Sequence, residues 1–525
     1  MATKPQPFYN QYSLRPKFFS RLLSILSHIL ILLSALAIAA YLWTALHRIA
    51  YPYELEWMEG AIVDECGQLL NGSPLYREPD LQYVPFIYPP LYFLLSAAAM
   101  RIFGLGFLAP RLVSLLASFG TMVLLYAIIK RETNLVSAGV LSAGLFAAAY
   151  RATGSWMDIA RVDSLFIFWI ALGAFVAGRR DSGLWAPILT AVLLSAAFFT
   201  KQVALAPALA IGVYYISAGW KRFLLYLGAL ALFAGGGTLL LNACYGGWYV
   251  YYVFLLSSRH AIRMDQVRDF LYGDIIGTFP VMFGLSLVSP LLLLKDRRPL
   301  REGVPGMLYY LLGASLFLVS LVGRGNVNSY VNTLLPAAFA FALLCGWTWG
   351  RVSAGKGRGS VIAGPAVGLC LAVQFIMLGY LPAARIPRDT DRQAGDILIA
   401  YIKSVEGDVL LPFHGYLPRL AGKESSAHWT AVLDLLLAMK DREGDPARLW
   451  LKEFERAIRE GRYDYIILDR EDWFPGLLKS RYARTGTIFG DAPVFYPVTG
   501  YPWRPQFIYR KISPPPHFNG EEEIF

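Results

Sequence analysis

The sequence predicts an all-α polytopic membrane protein that carries a small α/β domain at its C-terminal end. Hydrophobic residues make up 56% of the 525 residues and charged residues only 16%, well below the quarter that is usual in soluble domains. Apolar runs of about 17–25 residues, each long enough to cross a bilayer, recur as far as residue 381. Beyond about residue 386 the chain is charged and these runs stop.

The N-terminal part predicts the orientation of the first span. Residues 1–21 are polar and basic, which predicts a cytoplasmic segment, because Lys and Arg concentrate on the cytoplasmic side of membrane spans. The apolar run 22–46 follows, and no small-residue cleavage site comes after it, which predicts a retained signal-anchor helix. The first loop, 47–88, is therefore expected on the outer face.

The transmembrane domain is assigned to residues 22–385, with about eleven spans. Basic turns at every second loop mark the cytoplasmic side: Arg179-Arg180, Lys221-Arg222, Lys295 to Arg298 and Arg351 to Arg358. Counting backward from these turns places Asp163 outside, whereas counting forward through three full spans places it inside. One of the runs 88–104, 109–129 and 133–150 must therefore be a half-span or part of a bent helix, and the pattern leaves open which one.

The net charge of +11 does not indicate a nucleic-acid partner. Much of the excess positive charge lies in the short loops between apolar runs, where it orients the spans. The four cysteines are widely separated and show neither a Cys-x-x-Cys pair nor the spacing of a metal site.

Residues 386–525 are predicted to form a small α/β domain on the outer face, followed by a disordered end, PPPHFNGEEEIF. Helical periodicity and short apolar runs alternate in this part of the chain. The helical runs are 392–405, 427–440 and 446–461, and the strand-like runs are 408–412, 463–468 and 507–510.

The acidic, aromatic first loop is the strongest candidate for a functional site. Its carboxylates lie within twelve residues: Glu54, Glu56, Glu59, Asp64 and Glu65. Glu56 and Glu59 are three residues apart and share a face if the segment is helical. A carboxylate here can take the proton of an attacking acceptor and favour positive charge that develops on a sugar ring. Asp163 is the third candidate, since an ionisable group directly before an apolar span is costly unless it is paired or used.

A lipid phosphate as leaving group would require cationic or amide donors near the membrane surface. Several residues at span ends on the predicted outer face meet this requirement: Lys201, Arg259, His260, Arg263, Arg324, Asn326 and Asn328. Simpler interpretations remain open. Asp163 can pair with Arg161, and Lys201 can extend its amine to the interface without a further role.

Several short motifs follow one another in a characteristic order along residues 20–350. After the acidic loop come Gly72-x-Pro74-x-Tyr76, Tyr88-Pro89-Pro90, Ala109-Pro110-Arg111, Arg161-Val162-Asp163 and Thr200-Lys201-Gln202. This order resembles the membrane glycosyltransferases of the GT-C fold, in particular their protein O-mannosyltransferase-like and aminoarabinose-transferase-like branch. The resemblance implies a GT-C fold, a polyprenyl-phosphate-linked sugar donor and an inverting transfer to a lipid, glycan or protein acceptor outside the cytoplasmic membrane.

The resemblance also implies roles for single residues. Glu56 and Glu59 best match the acidic motif of the family's first outer loop, although Glu56 stands where Asp is usual, and Asp163 matches the second outer acidic residue. Tyr88 replaces a lysine that contacts phosphate in aminoarabinose-transferase-like relatives. The expected catalytic set is thus Glu56, Glu59 and Asp163. The expected substrate-binding set is Tyr88, Lys201, Arg259, His260, Arg324 and Asn328.

No cofactor is implied with certainty, and a divalent metal held by outer carboxylates is left open. The expected location is the cytoplasmic (inner) membrane, with membrane lipids, the donor and the acceptor as partners and no nucleic acid. The alternative class is a transporter or lipid flippase, which would have ionisable residues near the middle of several spans and two matching halves. A third class is a membrane-anchored binding protein that uses only its C-terminal domain.

Overall fold

The structure is a computed structural model that describes residues 14–179, 183–293, 305–327, 329–355, 358–440 and 442–512. Asn328, the first part of the predicted cytoplasmic segment and the C-terminal end predicted to be disordered lie outside these residues. The described chain is mainly helical and carries one four-stranded sheet near its C-terminal end. The predicted all-α membrane protein with a small α/β domain is therefore confirmed.

The described helices of the first part of the chain pack as one bundle, with shorter helices on one face. They are α1 (Leu14–Arg48), α2 (Glu59–Leu70), α3 (Leu91–Phe103), α4 (Leu108–Thr133), α5 (Val136–Ala148), α6 (Asp163–Ala177), α7 (Trp185–Thr200), α8 (Leu205–Ala218), α9 (Trp220–Leu230), α10 (Gly237–Cys244), α11 (Trp248–Val250), α12 (Met264–Asp269), α13 (Pro280–Leu293), α14 (Pro305–Gly325), α15 (Leu335–Ser353) and α16 (Arg358–Leu378).

Within the described residues, five helices are long and apolar enough to cross a membrane, or up to seven if each of two bent pairs counts as one span. Five shorter apolar helices accompany them. The predicted count of about eleven spans is not confirmed by these lengths.

The segments Met264–Ile276 and Pro280–Leu291 are two helices that meet at an angle of 93°. Pro280 lacks a backbone N–H and starts the second segment, α13. The side chain of Gln374, on α16, accepts hydrogen bonds from the N–H groups of Val281 and Met282 and donates one to the carbonyl of Thr278. The break is therefore stable inside an apolar bundle because a neighbouring side chain satisfies its backbone groups.

Helix α3 is shorter than a bilayer span. Its 13 residues extend about 20 Å at 1.5 Å per residue, less than the roughly 30 Å of a bilayer core. Tyr88, just before α3, contacts Arg161, and Arg111, at the start of α4, pairs with Glu59. Both ends of α3 therefore lie near residues that contact Glu59 or Arg161, and Asp163 lies on the same side of the fold as Glu59. If α3 does not count as a span, the forward count also places Asp163 outside.

Small residues bring the central helices into close contact. Helix α15 is buried along almost its entire length. A Cβ atom on Gly144 would lie 2.2 Å from Cβ of Ser34, and one on Gly346 would lie 2.6 Å from Cβ of Ser142. These glycines let α1, α5 and α15 approach at backbone distance, as is common in membrane bundles.

The C-terminal domain is a four-stranded sheet with helices on its faces. Strand β1 runs parallel to β2, and β4 pairs antiparallel with both β2 and β3, so the order is β1-β2-β4-β3. The three predicted strands are β1, β2 and β4, whereas β3 was missed because most of its residues are exposed or half-buried and its sequence, YARTGT, lacks apolar alternation. The described elements are α17 (Asp389–Ser404), β1 (Val409–Leu410), α18 (Tyr416–Leu420), α19 (Trp429–Leu437), α20 (Pro446–Glu460), β2 (Tyr465–Leu468), α21 (Pro475–Lys479), β3 (Tyr482–Thr487) and β4 (Phe507–Lys511).

Buried ion pairs attach this domain to the first loop. His414 contacts Glu54 through Nδ1 and Asp469 through Nε2, the latter at 3.0 Å, and all three side chains are almost completely buried. Burial alone would lower the pKa of His414, but the charges of Asp469 and Glu54 raise it to about 10. Arg419 adds a second link, 3.1 Å from Asp64. Carboxylates of the acidic loop therefore pair with basic side chains of the C-terminal domain at the interface between the two parts of the chain.

Candidate active site

Glu56 is a buried carboxylic acid whose oxygens have no hydrogen-bond partner among the described residues. Helix α2 begins at Glu59, so Glu56 lies in the preceding turn and the two glutamates do not share a helical face. Burial raises the pKa of Glu56 to about 8, and the charge of Arg161 opposes this rise. A carboxyl group whose pKa lies near the working pH is suited to proton transfer.

Aromatic rings surround Trp57, the neighbour of Glu56 in the sequence. The Trp57 ring lies 6.1 Å from that of Trp156, 5.9 Å from Tyr330 and 4.9 Å from Tyr501, measured between centroids. Tyr501 comes from the C-terminal domain, which thus contributes directly to the surroundings of Glu56. The sequence signal that could have indicated this contact is the pair Tyr501 and Trp503 in an otherwise polar C-terminal segment.

Gly500 lets the C-terminal backbone reach Glu56. Its φ of +84° is in the left-handed region, which favours glycine. A Cβ atom at this position would lie 2.2 Å from the Trp57 ring and 3.1 Å from Cγ of Glu56. The Tyr330 hydroxyl accepts a hydrogen bond from the Gly500 N–H at 3.2 Å, which fixes this close approach.

Glu59 is fully paired. Arg111 donates to its two oxygens at 2.9 and 2.6 Å, and the N–H groups of Leu55 and Ala160 donate one bond each at 2.7 Å. Burial by itself would raise the pKa of Glu59, but Arg111 and the two backbone donors hold it below its ordinary value. Glu59 is therefore an ionised carboxylate that ties the acidic loop to α4 and to the segment before α6.

Asp163 pairs with Lys201, whose Nζ lies 2.7 Å from Oδ1. Asn332 donates a second, longer bond of 3.3 Å to the same oxygen, while Oδ2 has no partner among the described residues. The sequence left open a pairing of Asp163 with Arg161, but in the structure Asp163 pairs with Lys201. Asn332 was not singled out, although it lies in the asparagine-containing stretch that follows Gly325.

Arg161 is buried between aromatic rings and faces Glu56. Its guanidinium donates to the Tyr88 hydroxyl at 3.0 Å and to Sδ of Met58 at 3.3 Å, and it lies 4.9 Å from the centre of the Trp156 ring. Nε has no hydrogen-bond partner among the described residues. Lys201 lies 6.0 Å from the centre of the same Tyr88 ring. Tyr88 thus lies between two cations. Arg161 was part of the motif Arg161-Val162-Asp163 but was not among the site residues expected from the sequence.

The other basic candidates have partners elsewhere on the same side of the fold. Arg259 donates to the carbonyl of Ala438, and Nε2 of His260 lies 3.2 Å from Asp434, so both connect to the C-terminal domain around α19. Arg324 pairs with Asp274 at 2.8 Å. Their expected role as phosphate contacts remains a prediction, as does that of Asn328, which lies outside the described residues.

Within the described ranges, no three or more His, Cys, Asp or Glu side chains are grouped so that they could hold a metal ion.

Comparison with known structures identifies the fold. ArnT, the aminoarabinose transferase from Cupriavidus metallidurans, in a structure bound to undecaprenyl phosphate, is similar with a TM-score of 0.57 at 13% identity, over 91% of this chain and 97% of that one. The apo form of ArnT gives 0.55 at 12% identity over the same shares. The oligosaccharyltransferase AglB from Archaeoglobus fulgidus gives 0.48 at 12% identity, over 92% of this chain and 73% of that one.

The chain therefore has the GT-C fold of membrane glycosyltransferases, as the order of its motifs predicts. No family model matches the chain, and no curated protein matches it.

The raised pKa of Glu56 predicts how its replacement affects stability with pH. The unfolded chain releases this proton near the ordinary pKa of 4.5, whereas the folded chain keeps it until about pH 8. Between these values only the folded chain still binds the proton, so the free energy of unfolding of the wild type falls by about 1.4 kcal/mol for each unit that the pH rises. We expect the melting temperature of Glu56→Gln to exceed that of the wild type by a margin that grows up to about pH 8 and is constant above it. A margin that does not change with pH would contradict the assignment.

Proposed function

We propose that this chain is a membrane glycosyltransferase that moves a sugar from a polyprenyl-phosphate-linked donor to an extracytoplasmic lipid, glycan or protein acceptor, with inversion. The observation that carries the proposal is the buried Glu56, whose carboxylate has no hydrogen-bond partner among the described residues and lies in the field of Arg161. A second cation, Lys201, lies near the Tyr88 ring that Arg161 also contacts. A base and a cationic site for a leaving phosphate thus lie side by side. ArnT, which shares the fold, is described as bound to undecaprenyl phosphate, and this supports a donor of the same class.

In the proposed reaction Glu56, in its ionised form, takes the proton of the acceptor's nucleophile. The nucleophile bonds to the anomeric carbon from the side opposite the phosphate, and the bond from that carbon to the phosphate oxygen breaks with its electron pair. A single displacement of this kind inverts the anomeric configuration. The developing charge on the phosphate is stabilised by Lys201 and Arg161. Glu59 and Asp163 hold the loop and the cations in place.

Membrane orientation is part of the proposal. The chain is proposed to lie in the cytoplasmic (inner) membrane, with its N-terminus in the cytoplasm and the C-terminal domain outside. The basic turns of the sequence support this orientation, as does the position of Asp163 on the same face as Glu59 and the C-terminal domain.

Replacing Lys201 with Gln is expected to raise KM for the lipid-linked donor about 10- to 100-fold, since a hydrogen bond to a charged group contributes roughly 1.5–3 kcal/mol. Lys201→Arg keeps the charge and should recover most of the affinity. Arg324→Gln breaks another ion pair, that with Asp274, and provides the comparison. A larger KM change in Arg324→Gln than in Lys201→Gln would place the phosphate at Arg324, as the sequence alone allowed.

The function is tested by lipid analysis of cells with and without the protein. Removal should cause a polyprenyl-phosphate-linked sugar to accumulate, as identified by mass spectrometry, and the wild-type chain should clear it. In reconstituted vesicles the protein should then release polyprenyl phosphate and form a new glycosidic bond. Movement of the lipid-linked sugar across the bilayer without bond formation would instead support the alternative, a transporter or flippase.

A further inference from the structure

A cavity of about 370 Å³ opens on the C-terminal domain, outside the site around Glu56. Its volume is within the range of small-molecule sites, roughly 300–1,000 Å³. Five of its lining residues are aromatic: Phe413, Trp429, Trp473, Phe474 and Trp503. Phe413 is buried in the hydrophobic core, and the other four rings pack against that core while they remain partly exposed to the cavity.

A continuous series of ring contacts connects this cavity with Glu56. The centroid of Trp473 lies 5.6 Å from that of Trp503, and Trp503 stacks on Tyr501 at 4.9 Å. Tyr501 in turn lies 4.9 Å from Trp57, the neighbour of Glu56. A ligand in the cavity would therefore lie beside the aromatic cluster whose other end packs around Trp57, next to the proposed base.

The polar groups of the cavity form a neutral pair at its rim. Arg470 donates to Asp472 at 2.9 and 2.6 Å, and both side chains are more than half exposed. Because each charge compensates the other, the lining offers no excess positive charge for a phosphate. Aromatic faces carry negative partial charge and attract the C–H groups on the faces of sugar rings, while paired guanidinium and carboxylate groups supply donors and acceptors for hydroxyl groups.

From these observations we propose that the cavity binds a saccharide unit of the acceptor and holds its nucleophile toward Glu56. The acceptor role of the saccharide rests on the proposed transferase function, whereas the binding of a saccharide in the cavity does not. A peptide is the other class of ligand that such a cavity could take, and binding of a peptide alone would contradict the proposal.

Direct binding is tested with the full chain in lipid nanodiscs, because maltoside or glucoside detergents carry sugar headgroups that would occupy the cavity. The probes are radiolabelled maltotriose, mannotriose and chitotriose in equilibrium dialysis, with an uncharged peptide of glycine and serine as the competing class. The variants are Trp473→Ala, Trp473→Phe and the control Trp220→Ala, which removes a tryptophan that is 63% exposed at the start of α9.

At least one trisaccharide should bind the wild type with a Kd in the millimolar range or tighter. Trp473→Ala should weaken this binding at least tenfold, whereas Trp473→Phe and Trp220→Ala should retain it, all with unchanged melting temperatures. The proposal is overturned if no trisaccharide binds, if Trp473→Ala binds as well as the wild type, or if only the peptide binds.

The transfer assay separates this proposal from the proposed function. Trp473→Ala should raise KM for the acceptor at least tenfold and leave KM for the donor unchanged. Saccharide binding that depends on Trp473 in a chain without transfer activity would overturn the transferase and the acceptor role, but not the saccharide site. Transfer that depends on Glu56 with an unchanged acceptor KM in Trp473→Ala would overturn the acceptor role alone.

Discussion

Replacing Glu56 with Gln is expected to lower the rate of sugar transfer by a factor of about 10²–10⁴, the usual contribution of a general base. The amide has nearly the same size and fills the same buried space, but it cannot take a proton from the acceptor. The measurement is single-turnover transfer from the polyprenyl-phosphate-linked donor in membranes. KM for the donor should change little, because the cations that would hold the phosphate remain.

Glu65 offers a matched control for this variant. It is also buried, burial raises its pKa to about 8, and it is held by the Tyr83 hydroxyl and the Phe86 N–H rather than facing the proposed site. Glu65→Gln should therefore retain most of the activity. In the wild type the rate should rise with pH through about 8, and this rise should be absent from the residual activity of Glu56→Gln. Transfer by Glu56→Gln at more than half the wild-type rate would exclude Glu56 as the base.

Replacing Glu59 with Leu is expected to destabilise the protein by about 3–5 kcal/mol, because it leaves the buried charge of Arg111 without its partner. The backbone N–H groups of Leu55 and Ala160 would lose their acceptor as well. The measurement is the melting temperature of the purified protein in detergent, together with the amount of folded protein in membranes.

The double variant Glu59→Leu/Arg111→Met separates the charge effect from the loss of the site. Removing both charges should restore much of the stability, because an apolar pair of similar volume often replaces a buried ion pair without loss. A single variant Glu59→Leu as stable as the wild type would show that the pair does not hold the acidic loop.

The sequence predicted the membrane class, the C-terminal domain and the acidic loop because each depends on local patterns. Apolar length indicates a span, and a carboxylate at the start of an apolar run, such as Asp163, indicates a cost that needs a partner. Which partner it has is a tertiary property. Arg161 is two residues from Asp163 whereas Lys201 is 38 residues away, and only packing decides that Lys201 pairs with Asp163 while Arg161 acts on Glu56.

The rest of the site depends on contacts between residues far apart in sequence. Gly500 and Tyr501 reach Trp57 across more than 440 positions, and no periodicity in either segment indicates that approach. The break near Pro280 similarly depends on Gln374, on a different helix. Patterns along a chain report burial and helix length, whereas the pairing of buried polar groups follows from how the helices pack.

The covering of Glu56 by Gly500 has a consequence for the proposed reaction when no acceptor is bound. A base that water can reach would activate water as readily as an acceptor hydroxyl, and each such event would discard a lipid-linked sugar. Glu56 is fully buried beneath the C-terminal segment, so if it is the base, as proposed, water would have little access to it and little lipid-linked sugar would be lost to hydrolysis.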